Sequence, residues 1–198
     1  MINLQELEKL KQITFDTGGR TREDIIESAG WAIYTYLTQH YVDWSKKKIV
    51  FVCDASERGG YGLTVAHFLD ENYVDIKIWL IKNKETEISA TKEKIERIRP
   101  EVFCSDEAYF LKEVEKADIV VDAVERMDPK TIEKINAIKK EVISLEAPSG
   151  IDLTRDKAIK PFIDADHILT MHDTKKALES FGDKVVILDV GLADFSVD

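Results

Sequence analysis

The chain has 198 residues, 44% of them hydrophobic, with 28 Lys and Arg against 38 Asp and Glu, so its net charge is −10. That length gives one domain over 1–198 whose core needs no disulfide or metal staple. The acidic balance argues against nucleic acid or an anionic membrane as a partner, and apolar runs such as 49–53 and 185–188 are too short to cross a bilayer.

Met1-Ile2-Asn3-Leu4-Gln5-Glu6 lacks the charged and apolar regions of a secretory leader, which with two cysteines at non-metal spacing, Cys53 and Cys104, suggests reduced thiols and a cytoplasmic location. Apolar residues at 4, 7, 10 and 13 make a short amphipathic helix, ended by Gly18-Gly19. Thr21 with Asp24 three residues on is a helix-start signal, and Ile25, Ile26, Ala29, Ala32, Ile33, Tyr36 and Leu37 mark one face of the helix behind it. Lys48 to Cys53 reads as a buried strand, followed by a glycine-rich turn, Arg58-Gly59-Gly60-Tyr61-Gly62, and a helix opening at about Leu63. Asp75 to Ile81 is a second strand, the polar stretch Lys82 to Ser89 leads to a helix at Thr91 to Arg97, and Pro100 precedes a short strand at Val102-Phe103. A helix over Glu107 to Lys116, a strand over Ala117 to Ala123, a helix opening at Asp128-Pro129, and strands at Glu141 to Leu145, Ala165 to Thr170 and Lys184 to Asp189 complete the pattern. About seven strands alternating with helices imply a three-layer α/β/α, Rossmann-like fold with a mostly parallel sheet flanked by helices. The charged stretch Asp152 to Pro161 is the natural long loop.

Polar groups gather at the strand ends. A strand, a glycine turn and a helix N-terminus can hold an anion on backbone N–H groups. The turn lacks the Gly-Lys-Ser/Thr of a nucleoside-triphosphate loop, and the second strand ends Leu80-Ile81-Lys82 without the acid of a dinucleotide fingerprint. Asp54 and Asp122 both end strands, as magnesium ligands would, but the second acid expected two residues after Asp54 is missing. Pro148-Ser149-Gly150 turns sharply after the 141–145 strand and presents Ser149, with Glu146 just before it, at the sheet edge.

These pieces together resemble the YjeF N-terminal domain family of NAD(P)H-hydrate epimerases. Ile26 to Ala32 looks like the family's L-M-E-x-A-G-x-A helix, and Cys53 to Gly62 lies where it has C-G-x-G-N-N-G-G-D-G. Ala117 to Ala123 resembles A-D-x-x-V-D-A, Leu145 to Asp152 resembles D-I-P-S-G-L-D, Ala165 to Lys176 resembles A-D-x-T-x-T-F-x-x-x-K, and Val186 to Leu192 resembles the closing V-x-D-I-G-I. The resemblance implies a dimeric Rossmann-like protein that interconverts the R and S epimers of hydrated NADH and NADPH. It implies substrate contacts at Glu57, Arg58, Gly59, Gly60 and Tyr61, at Arg126, Met127 and Asp128 after the 117–123 strand, and at Glu146. It also implies a potassium ion at Asp122 and Ser149, with Asp122 and Glu146 as the acid and base that the hydrated carbon requires.

This chain departs from the family at several of those positions. Glu57 and Arg58 replace the two asparagines, Tyr61 replaces the aspartate, Glu125-Arg126-Met127-Asp128 replaces a glycine loop, and Glu146 replaces an Asp. A Glu for Asp change extends the carboxylate by a methylene, and a misplacement on the order of 1 Å can cost ~100-fold in rate. Arg58 puts a cation where a neutral ion ligand is expected, so it could itself replace the potassium by pairing with Asp122 and hydrogen-bonding Ser149. Two other readings follow from the same departures. One is a non-catalytic domain that binds a nucleotide-like small molecule. The other is a dimeric interaction scaffold using an aromatic patch at Trp31, Tyr34, Tyr36 and Tyr41.

Overall fold

A computed structural model describes residues 1–81 and 89–192. Helices α1 (Leu4–Gly18) and α2 (Arg22–His40) each open on a reciprocal cap. Asn3 exchanges hydrogen bonds with Glu6, and Thr21 does so with Asp24, as the spacing predicts. Then follow β1 (Lys48–Cys53), α3 (Glu57–Glu71), β2 (Asp75–Leu80), α4 (Ser89–Arg97), α5 (Glu107–Lys116), β3 (Ile119–Ala123), α6 (Pro129–Ile138) and β4 (Glu141–Leu145). A hairpin, β5 (Ile151–Asp152) with β6 (Lys157–Ala158), precedes β7 (His167–Met171) and β8 (Val185–Leu188). The six long strands form one parallel sheet in the order β2-β1-β3-β4-β7-β8.

Strand side chains alternate between two cores. Ile49, Phe51, Cys53, Ile119, Val121 and Ile143 pack with α1, α2 and α3, while Val50, Val52, Val120, Val142 and Ile168 pack with α5 and α6. Burial on both faces explains why these strands read as unbroken apolar runs rather than alternating ones. Among the described residues no helix is long and apolar enough to cross a membrane.

Four expectations change. Val102-Phe103 is not a seventh strand: Pro100–Val102 is a 3₁₀ turn, and Phe103 makes one parallel bridge to Ile78. Only two apolar residues separate that turn from the chain entering α5, too few for a ladder. The charged stretch 152–161 carries the small β5–β6 hairpin, while most of the polar stretch Lys82 to Ser89 lies outside the described residues. The aromatic patch divides. Trp31, 58% exposed, stacks on Tyr34 and meets Phe68 edge-on. Tyr36 and Tyr41 turn instead to His167 and Glu141.

The fourth change is the largest. The glycine segment is not a turn but the first turns of α3, which starts six residues earlier than the pattern suggests. Glycine inside a helix costs about 1 kcal/mol relative to Ala, and packing overrides that cost. A Cβ on Gly59 would stand 1.9 Å from the Asp54 carbonyl oxygen, and one on Gly62 would stand 2.6 Å from Ala123 Cβ and 2.9 Å from Cys53 Sγ. On the opposite side, a Cβ on Gly30 of α2 would stand 2.3 Å from Thr64 Cγ2. Missing side chains thus let α3 lie against the ends of β1 and β3 and against α2.

Gly59→Ala should therefore lose stability by about 1–3 kcal/mol, the usual cost of overpacking, despite its helix propensity. Gly18→Ala, whose Cβ would meet only Arg20 Cγ at 4.0 Å, should instead gain about 0.4–1 kcal/mol. Urea midpoints of the two variants would check both signs.

Candidate functional site

The carboxyl ends of β1, β3 and β4 lead into three connections that share one buried polar cluster. After β1, Asp54 accepts from Ser56 N (3.0 Å) and from the Ser56 hydroxyl, and its other oxygen accepts from Glu125 N at 3.1 Å. Ser56 then caps α3 by accepting from Gly59 N at 3.1 Å. With the glycines turned to the sheet and to α2, the same helical turns send Glu57, Arg58 and Tyr61 into a cleft. Glu57 accepts from Lys11 of α1 and from the Tyr61 hydroxyl, with Arg22 of α2 at 3.7 Å. Burial first, then the Glu57 and Glu146 charges, push the Tyr61 phenol well up, so it stays protonated.

Asp122 ends β3 fully buried. One of its oxygens accepts from Ser144 Oγ (2.9 Å) and Ser149 N (2.8 Å), and the other from Ser149 Oγ at 2.5 Å. Burial raises its carboxyl above the usual range, and the serine hydrogen bonds and the Arg58 charge only partly offset that. Arg58 does not take the partners expected for it. Its Nη1 donates to the carbonyls of Val124 and Ala147, each at 2.9 Å, while Ser149 Oγ lies 3.1 Å from the same Val124 oxygen. Among the described residues it forms no ion pair with Asp122 within 4.0 Å and no hydrogen bond with Ser149.

Glu146 follows β4 with a φ of +63°, a left-handed conformation that costs a non-glycine residue about 1–3 kcal/mol. That backbone aims its carboxylate at β7. There Oε2 meets Lys175 Nζ at 2.8 Å and Thr170 Oγ1 at 3.1 Å, and Oε1 accepts from Met171 N at 3.3 Å. Lys175 is itself buried and donates to Thr170 Oγ1 and Met171 O. Burial alone would raise the Glu146 carboxyl, but attraction to Lys175, helped by Arg58 and Lys11, outweighs it and holds the group below its usual value.

The cleft above these groups has a volume of about 980 Å³, within the size range of small-molecule sites. Its walls include Glu57, Arg58, Tyr61, Arg126, Met127 and Glu146, so six of the sequence-nominated positions come together there. Gly59 and Gly60 lie behind the wall inside α3, and Asp128 caps α6 by accepting from Lys130 N at 2.9 Å. Asp122 and Ser149 lie beneath it with no exposure. Lys11, Arg22 and Lys175 were not nominated. Lys11 reaches Glu57 across 46 residues of sequence, which leaves no local signal, whereas Lys175 sits at the Lys of A-D-x-T-x-T-F-x-x-x-K.

A parallel α/β sheet with a polar cleft over its carboxyl edge is the ligand-site arrangement of doubly wound folds. Within that class, the model of the YjeF-related protein N-terminus matches residues 22–177, and the chain belongs to this family. It is 24% identical over 183 residues to the bifunctional NAD(P)H-hydrate repair enzyme Nnr of Dictyoglomus turgidum, which covers 86% of this chain and 34% of that protein. It is 28% identical to the NAD(P)H-hydrate epimerase of Plasmodium knowlesi, covering 74% and 53%. It is 22% identical to that of Leuconostoc mesenteroides, covering 97% and 91%. The chain thus spans about a third and about half of the first two relatives. The crystal structure of yeast ynu0 matches 96% of this chain and 87% of its own at a TM-score of 0.77 and 14% identity, a likeness of fold.

Lys175→Met should release the Glu146 carboxyl from its counter-charge and let burial raise it above the usual value, and stability should fall by about 3–5 kcal/mol. The wild-type contribution is full above the unfolded carboxylate value of about 4.3 and is lost as pH falls through the lowered folded value. The stability gap between the two proteins should therefore be widest above about pH 4.3 and shrink in acid. Urea unfolding across that range, with carbon-13 spectra of the Glu carboxyl, checks both statements.

Proposed function

We propose that this protein is an NAD(P)H-hydrate epimerase, interconverting the R and S epimers of hydrated NADH and NADPH, with Glu146 as the base at the hydrated carbon. The observation that carries the reading is a carboxylate kept ionised by a buried lysine on the wall of a nucleotide-sized cleft. A carboxylate acts as a base only when ionised and within reach of its substrate; Glu146 is held toward the ionised form and lines the cleft, which supports the reading. Tyr61 brings a protonated hydroxyl into the same cleft. Family membership and the epimerases among the relatives support hydrated NADH and NADPH as the substrate. The reading also carries a cytoplasmic homodimer, for which sedimentation equilibrium should give twice the chain mass of 22.6 kDa.

One observation favours a second reading, a domain that binds the nucleotide without turning it over. Asp122, the other nominated acid, is fully buried and absent from the cleft wall.

Incubating the purified protein with one epimer of hydrated NADH and separating the products by chromatography decides between them. Conversion above the spontaneous rate, falling by about 10²-fold or more in Glu146→Gln, is the expected result. Binding without conversion by the folded wild type would instead establish the second reading.

A further inference from the structure

We propose that the Arg58 guanidinium is a built-in cation: it fills the position a monovalent ion would take between the ends of β3 and β4, and the protein binds no potassium there. The position is defined by oxygen atoms. Val124 and Ala147, from the connections after β3 and β4, turn their carbonyls onto one point, and Arg58 Nη1 sits at it, 2.9 Å from each. Ser149 Oγ, a further oxygen donor, lies 3.1 Å from one of those carbonyls and hydrogen-bonds the buried carboxylate behind it. Converging carbonyls, a hydroxyl and a carboxylate are what a hard cation seeks, and rings of such carbonyls strip and replace the water of potassium.

Here the donors are taken. Both carbonyls accept from the guanidinium, and both Asp122 oxygens accept from serine groups. An ion could enter only by expelling a side chain that is 93% buried, since Arg58 retains 7% exposure. A second positive charge beside the first would meet repulsion that water cannot screen.

Arg58 Nε supports charge, rather than filled hydrogen bonds, as what holds the group. It is buried without a partner among the described residues, a state that normally destabilises a site. The Arg58 charge nevertheless draws both Asp122 and Glu146 toward ionisation. A guanidinium never deprotonates in a protein and cannot diffuse away.

The test reads ion binding and melting rather than turnover, so it stands apart from the epimerase reading. Wild type, Arg58→Asn and Arg58→Lys are melted in potassium chloride and in tetramethylammonium chloride at equal ionic strength, and rubidium uptake is measured by equilibrium dialysis. Wild type and Arg58→Lys should melt identically in the two salts and take up no rubidium. Arg58→Asn, which frees the two carbonyls and adds an amide oxygen, should take up about one ion per chain and melt several degrees higher in potassium. Stoichiometric rubidium in the wild type, or a potassium-specific rise in its melting temperature, would overturn the proposal. So would a folded Arg58→Asn that ignores potassium, because the position would then never have been a cation site. If Arg58→Asn does not fold, the wild-type and Arg58→Lys measurements decide alone.

Discussion

The buried carboxylate of Asp122 is the point on which the carboxyl edge depends. It ends β3, accepts from Ser144 on β4, and accepts twice from Ser149 in the turn after β4. Unpaired, it would cost several kcal/mol and unfasten that turn from the sheet. Paired, it fixes where the chain leaves β4, and thereby where Ala147 directs its carbonyl and Glu146 its side chain. The Arg58 position and the Glu146–Lys175 pair both follow from it.

Two acids that look alike in sequence shift in opposite directions for that reason. Asp122 has hydroxyl and amide donors around it and no cation within pairing distance among the described residues, so burial dominates and lifts its carboxyl. Glu146 is also buried, but it lies 2.8 Å from an ammonium group, and the pairing outweighs burial. The positions divide accordingly: Glu146 lines the cleft, and Asp122 anchors the turn beneath it.

The sheet, its helices and their caps were legible because they rest on local pattern. Apolar runs give strands, period-3.6 faces give helices, and Thr21 with Asp24 gives a helix start. The glycine segment reads as a turn in sequence because its glycines answer to Asp54, Cys53 and Ala123, contacts that exist only after folding. The cleft positions at 57, 58, 61, 126, 127 and 146 could be named from motif order. The partners of Arg58 and Glu57 could not, since carbonyl directions and the approach of α1 leave no trace in neighbouring residues.

The packing of α3 has one more consequence. Its first turns assign the scaffold to Gly59, Gly60 and Gly62 and the cleft wall to Glu57, Arg58 and Tyr61, interleaved within six residues. Exchanging the side chain at 57 or 61 adds no atom where the helix meets the sheet, while a Cβ on Gly59 or Gly62 would collide there. A chain built this way can change the groups that line its cleft one side chain at a time while α3 keeps its seat on the sheet. The chemistry of its cleft wall is therefore a far more mutable property than its fold.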